Sequence, residues 1–230
     1  MSRIMLKLSG EALADEQRHY NDAVIDGIAG QVKQLLDSGN EAAIVIGGGN
    51  YWRGRSSGGM NRSKADQIGM LATVMNCIYV SESFRRAGMF TRIFTPFACS
   101  TFTELYSRDA AVAAIENKAV VFFAGGTGHP YFSTDTGVVL RAVEVEADGI
   151  YLAKAVDGVY DSDPKTNPQA KRYDSISIDE VIAKNLQVVD MTASILARDN
   201  RMPMWVFDLT EKDSIIRAVS GDFNGTKITV

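Results

Sequence analysis

Four short segments hold the residues best suited to chemistry. In the first, Lys7 stands inside the apolar run Arg3–Leu8 and is followed by Ser9 and Gly10. A lysine in such a run needs an anion beside it, or its desolvation is costly. The turn after it can offer backbone N–H groups to an anion. The alternative is a lysine on an edge strand. In the second, Gly47, Gly48 and Gly49 end the apolar run Ala42–Ile46. Without Cβ atoms this backbone can approach an anion closely, and φ > 0 costs little. The guanidinium of Arg53, four residues on, can fork onto phosphate oxygens. The plainer alternative is a tight βα turn.

The third segment, Ala124–Asp135, follows the run Val120–Phe123 and carries Gly125, Gly126, Gly128, several hydroxyls and an aspartate at a helix start. Asp135 is either an early-helix carboxylate favoured by the dipole, or the group that orders two lysines or water-bound Mg²⁺ at a phosphate site. The fourth, Lys154–Pro164, is turn-rich and carries Tyr160, which would flank a base or sit in a surface hairpin. The shared chemistry is phosphate binding. The chain has no Gly-x-x-x-x-Gly-Lys-[Ser/Thr] and no Gly-x-Gly-x-x-Gly in its first βα turn, so phosphoryl transfer needs another scaffold.

The elements that must position these segments are legible as period. Strands are predicted at Arg3–Leu8, Ala42–Ile46, Thr91–Thr95, Ala119–Ala124, Gly149–Ala153, Met204–Phe207 and Lys227–Val230. Helices are predicted at Asp22–Asp37, Arg62–Ala87, Glu104–Glu116, Thr134–Glu146, Asp179–Lys184, Thr192–Asp199 and Glu211–Val219. This alternation implies an α/β fold: a three-layer αβα sandwich around a mainly parallel sheet. No stretch reads as a linker or repeat. The reading is one domain over 1–230, with lobes at about 1–147 and 148–230.

Bulk properties narrow the classes. The 230 residues suit one large α/β domain or two small ones. A net charge of −4 argues against a general nucleic-acid binder. Arg53–Lys64, with four cations and no acid, suits a small anionic ligand. Cys77 and Cys99 read as buried free thiols, and His19 and His129 lack zinc-ligand spacing. No apolar run approaches the ~20 residues of a membrane span, and no signal-peptide core precedes the first strand; a cytoplasmic protein is expected.

Taken in order, the segments resemble the amino acid kinase superfamily, and within it the bacterial UMP kinases. The matching runs are Lys7–Gly10, Ile46–Asn50 with Arg53-Gly54, Asp66–Asn76, Gly126–Gly128 through Thr134-Asp135, Val156–Tyr160 with Asp163-Pro164, and Val189–Ala193. The resemblance implies that Lys7, Leu8, Ser9 and Gly10 bind the phosphates of ATP, joined by Gly49, Arg53 and, as a second phosphate lysine, Lys154. Tyr160 and Asp163 would sit at the adenosine. Gly48 would face UMP and Asp66 its ribose hydroxyls. Thr127, Gly128, His129, Pro130, Tyr131, Phe132, Ser133 and Thr134 would wrap it. Lys7, Arg53 and Asp135 would be the catalytic set, with Mg²⁺ held by phosphates and water and no direct protein ligand.

The resemblance also implies a homohexamer with GTP and UTP as effectors; Arg92 matches a position linked to the GTP site. The chain departs from the pattern after Gly10, where no longer glycine loop intervenes, and at Lys154–Val156, which is shorter than in many relatives. Two other readings stay open: the same fold with a carboxylate or carbamate acceptor, and a non-catalytic nucleotide sensor.

Overall fold

The computed structural model describes residues 1–15, 17–52, 58–164, 166–186 and 189–230. Its first elements are β1 (Arg3–Leu8), α1 (Asp22–Asp37), β2 (Glu41–Ile46), α2 (Arg62–Arg86), β3 (Thr91–Thr95), β4 (Glu104–Leu105), α3 (Arg108–Glu116) and β5 (Val120–Phe123). There follow α4 (Thr134–Glu144), β6 (Gly149–Lys154), β7 (Val159–Tyr160), β8 (Arg172–Tyr173), β9 (Ser175–Ser177), α5 (Ile178–Ala183), α6 (Met191–Asp199), β10 (Met204–Asp208), α7 (Ser214–Ser220) and β11 (Gly225–Thr229).

Nine strands form one sheet in the order β4-β3-β5-β2-β1-β6-β10-β11-β9. Every pairing is parallel except β10 with β11. β1 lies between β2 and β6, pairing Lys7 with Val45 on one side and Leu152 on the other. The chain reverses its direction of travel across the sheet at β1, which opens a crevice at the strand C-termini. The sequence boundary near Asp148 falls between β1 and β6, and the sheet runs through it unbroken.

Both faces are covered, which is why the central strands are apolar on both sides. One core packs α1, α2 and α7 on Ile4, Leu6, Leu8 and their neighbours. The other packs α3, α4, α5 and α6 on Met5, Val45, Phe123 and Leu152. Helix starts follow side-chain caps. Asn21 accepts from Val24 N at 3.3 Å, Ser107 from Ala110 N at 3.5 Å and Asp190 from Ala193 N at 3.0 Å. Among the described residues, no helix is long and apolar enough to cross a membrane.

Two local expectations are corrected, and one open alternative is met. The helix predicted from Glu104 starts at Arg108, because Ser107 caps it and Glu104-Leu105 pairs with Phe94-Thr95 as an edge strand. The turn-rich Val159-Tyr160 pairs antiparallel with Arg172-Tyr173, so the hairpin alternative is present there. Cys77 is fully buried, and burial pushes its thiol well up, whereas Cys99 is only partly buried.

At the N-terminal end of the sheet, buried Glu41 takes Arg3 Nε at 2.8 Å and faces Lys118 at 3.8 Å. Removing the carboxylate leaves the Arg3 guanidinium with less compensation. Glu41→Ala is expected to cost about 2–3 kcal/mol, read as a lower urea midpoint, with turnover per folded molecule unchanged.

Candidate active site

Lys7 is the one charged side chain of β1 that reaches the C-terminal crevice, and it is 11% exposed. Its Nζ lies 3.2 Å from Asp135 Oδ1, in the first turn of α4. Lys154, at the end of β6, places its Nζ 3.9 Å from Asp135 Oδ2. Asp135 therefore both opens a helix and sits between two lysines, which meets the requirement that a strand lysine find an anion. The Lys154 ammonium is held below the ordinary lysine range by burial and by the Lys7 charge, against the pull of Asp135 and Asp190.

The cluster stands where cavities meet. One cavity of about 260 Å³ is lined by Lys7, Ser9, Gly10, Gly48, Gly49, Asp66, Thr127, His129, Phe132, Ser133 and Thr134 among others. A second, of about 500 Å³, is lined by Asp135, Lys154, Asp190 and apolar side chains of α5 and the segment after it. A third, of about 570 Å³, is lined by Lys154, Tyr160, Asp163 and neighbours. Residues assigned to both ligands share the first cavity, where Lys7, Ser9, Gly10 and Gly49 stand beside Gly48, Asp66 and Thr127, while Tyr160 and Asp163 line the third; Lys7, Asp135 and Lys154 lie where the cavities adjoin.

Positive φ, one of the two expected reasons for the triple glycine, does not apply. None of Gly47, Gly48 and Gly49 has positive φ. A Cβ on Gly48 would lie 2.9 Å from Gly69 O and 3.0 Å from Ala72 Cβ in α2, and one on Gly49 would lie 2.6 Å from Glu11 Oε1. Close packing against α2 excludes a side chain at Gly48; at Gly49 the Glu11 carboxylate would have to move, and at Gly47 a Cβ would make ordinary contacts. Positive φ does govern the other turn, at Gly125 (+78°), Gly126 (+58°) and Gly128 (+83°). Among the described residues, no carbonyl takes the N–H of Gly48 or Gly49.

Some assigned residues do not line a cavity, and others that do also hold the local structure. Leu8 is fully buried in the apolar layer, so only its backbone can serve the site; its carbonyl accepts from Gly47 N at 3.0 Å. Gly128 packs on Pro96, Tyr131 is largely exposed, and neither they nor Pro130 line the cavity. The Ser133 hydroxyl caps α4, accepting from Asp135 N at 3.0 Å, and donates to Asp190. Tyr160 donates to Asp157 Oδ1 at 2.7 Å. Arg53 lies outside the described residues.

Asp66 is 13% exposed and held by Arg62 Nε at 2.8 Å and Tyr131 N at 2.8 Å. A carboxylate has about four acceptor positions, so it can still take a ligand hydroxyl. The sequence reading missed Arg62, Trp52 and Glu11 on the first cavity, Asp190 on the second, and Thr73, which accepts from Gly125 N at 2.7 Å. Thr73 and Asn76 stood inside the Asp66–Asn76 run, but their polarity in a buried helix face was the signal left unused.

Fold and site together define an α/β protein with a lysine–aspartate–lysine cluster at the C-terminal crevice of its sheet, where cavities adjoin. The model of the amino acid kinase family matches residues 2–208. The chain belongs to the amino acid kinase family, in its uridylate kinase branch. It is 44% identical to the uridylate kinase of Mycoplasmopsis pulmonis, over 98% of this chain and 96% of that one. Its fold matches the crystal structure of UMP kinase from Bacillus anthracis with a TM-score of 0.94 and 38% identity, covering 99% of this chain and 96% of that one. It matches UMP kinase from Ureaplasma parvum with a TM-score of 0.94 and 33% identity, covering 100% and 99%.

Proposed function

We propose that this chain transfers the γ-phosphoryl group of ATP to the phosphate of UMP, giving UDP and ADP. The observation that carries the reading is the Lys7–Asp135–Lys154 cluster at the seam between the cavities. UMP occupies the first cavity, with Asp66 accepting from the ribose hydroxyls and Gly48 at its phosphate. The ATP phosphates run past Ser9, Gly10, Gly49 and Lys154, with the adenosine toward Tyr160 and Asp163. The acceptor oxygen of UMP is already anionic, so it attacks the γ-phosphorus without a general base. The bond from that phosphorus to the β,γ-bridging oxygen breaks, and ADP leaves. Catalysis then consists of alignment and charge neutralisation.

Lys7 neutralises charge on the group in transit, Arg53 clamps the phosphates, and Asp135 holds both lysines in place. Mg²⁺ carried by ATP would supply further neutralisation of phosphate charge. Asp135 already faces two ammonium groups, so the donor set suits a cation carried by phosphates and water better than one held by the protein. In this reading the UMP lobe is about 1–147 and the ATP lobe about 148–230. The enzyme works in the cytoplasm as a homohexamer that responds to GTP and UTP. Ile68, Leu71, Met75 and Ile78 form an exposed apolar stripe on α2, which supports self-association.

A coupled assay with UMP, CMP, dUMP and N-acetylglutamate tests the reading, with UMP expected to turn over fastest. Phosphorylation of N-acetylglutamate but not UMP would reverse the acceptor. Tight UMP binding with no UDP formed would mark a sensor. Asp66→Ala is expected to lower kcat/KM for UMP about 10- to 100-fold, the scale of one charged hydrogen bond, while KM for ATP holds.

A further inference from the structure

Asn76 is an amide with no exposure, on the sheet-facing side of α2. Every polar position of its side chain is used. Nδ2 donates to Gly47 O at 2.7 Å and to Asn50 Oδ1 at 2.8 Å. Oδ1 accepts from Asn50 Nδ2 at 3.0 Å and from the Tyr20 hydroxyl at 3.0 Å. The two asparagines form a reciprocal amide pair beneath the triple glycine. Asn50 also reaches the first phosphate turn: a Cβ on Gly10 would lie 2.7 Å from Asn50 Oδ1 and 2.3 Å from Gly47 O.

The segment before α1 closes over this pair. His19 Nδ1 meets Asn50 O at 2.9 Å, Asn50 Nδ2 reaches His19 O at 3.0 Å, and the His19 ring stacks on Tyr51 at 4.2 Å. Tyr20 stacks on Tyr79 of α2 at 3.7 Å. Burial pushes the Tyr20 phenol well above its ordinary range, so it remains a donor to Asn76. Asn76 is thus a junction of α2, the glycine turn and the segment that covers it. A fully satisfied buried polar group fixes one geometry, because each alternative strands a donor or acceptor.

We propose that Asn76 is a positioning residue for phosphoryl transfer: with Asn50 and Tyr20 it locks the Gly47 carbonyl, and so aims the Gly48 and Gly49 amides at the meeting point of the two phosphates. It touches neither nucleotide. The proposal rests on the UMP kinase reading for its kinetics. Asn76→Asp keeps the shape but sets an acceptor against Gly47 O and Asn50 Oδ1. It is expected to lower kcat on the order of 10²-fold, the penalty of a misplaced reacting group, with KM for UMP and ATP little changed. Tyr20→Phe removes one supporting bond, and kcat should fall about 5-fold.

The activity-independent readout is amide hydrogen exchange. Tyr51 N and Trp52 N both donate to Gly48 O at 3.0 Å, and their protection should fall selectively in Asn76→Asp while that of β1 and β2 holds. An unchanged kcat, or a loss that tracks only the folded fraction, overturns the proposal. If Asn76→Asp fails to fold, Tyr20→Phe decides by the same two readouts. Absence of UMP turnover in the wild-type chain would overturn the activity reading instead, and the exchange measurement would still judge the lock.

Discussion

Lys7→Ala is expected to lower kcat by roughly 10²–10³, similar to the loss of one oxyanion donor, while the affinity for UMP stays near normal. The size follows from position. Lys7 is nearly buried, at the end of the central strand, with its Nζ at the seam of the cavities. A charge in such a shielded place acts on developing charge more strongly than one in water. Because β1 is gripped by β2 and β6, the ammonium needs little reorganisation during the reaction. The fold should survive the change: Asp135 keeps Lys154 as a partner at 3.9 Å. Pre-steady-state and steady-state rates with UMP and ATP check the prediction, and near-normal kcat would remove Lys7 from the mechanism.

Asp135→Asn should cost comparably in kcat, on the order of 10²-fold, for a different reason. The amide keeps the helix start but leaves two nearly buried ammonium groups side by side with no shared anion. Lys154, already held low by burial and by Lys7, is then pushed lower still. In the proposed mechanism its charged form is the one that binds phosphate, and that form is present below its pKa. Activity that depends on it is therefore lost as pH rises through that value, and in the variant this loss begins at lower pH.

The stability term has the opposite sense. A lysine whose folded pKa is lowered binds fewer protons than in the unfolded chain, so stability rises with pH between the two values. In Asp135→Asn that window opens further downward. Rate profiles and urea midpoints collected across the same pH range check both signs. A pH limb identical to that of the wild type would show that Asp135 does not govern Lys154.

How far the sequence reached differs by element. The α1 bounds were read as they stand, because the apolar period that sets them is local. The turns after β1, β2 and β5 were placed correctly for the same reason, as each ends an apolar run. Edge features were lost. β4 and β9 are two and three residues long, and their strand character comes from the neighbours they pair with rather than from their own composition.

The sequence by itself determined which residues can bind phosphate and which runs must be buried, since both follow from side-chain chemistry and period. It could show Asp135 as one of two things, a helix-start carboxylate or a partner for lysines. Only the tertiary structure made it both, by setting β6 beside β1 so that Lys154 and Lys7 flank the start of α4. Nor could sequence say what packs so closely on Gly48. The space a Cβ would need there is taken by the Gly69 carbonyl and Ala72 of α2, and their approach is fixed by strand order and helix packing, which no local propensity encodes.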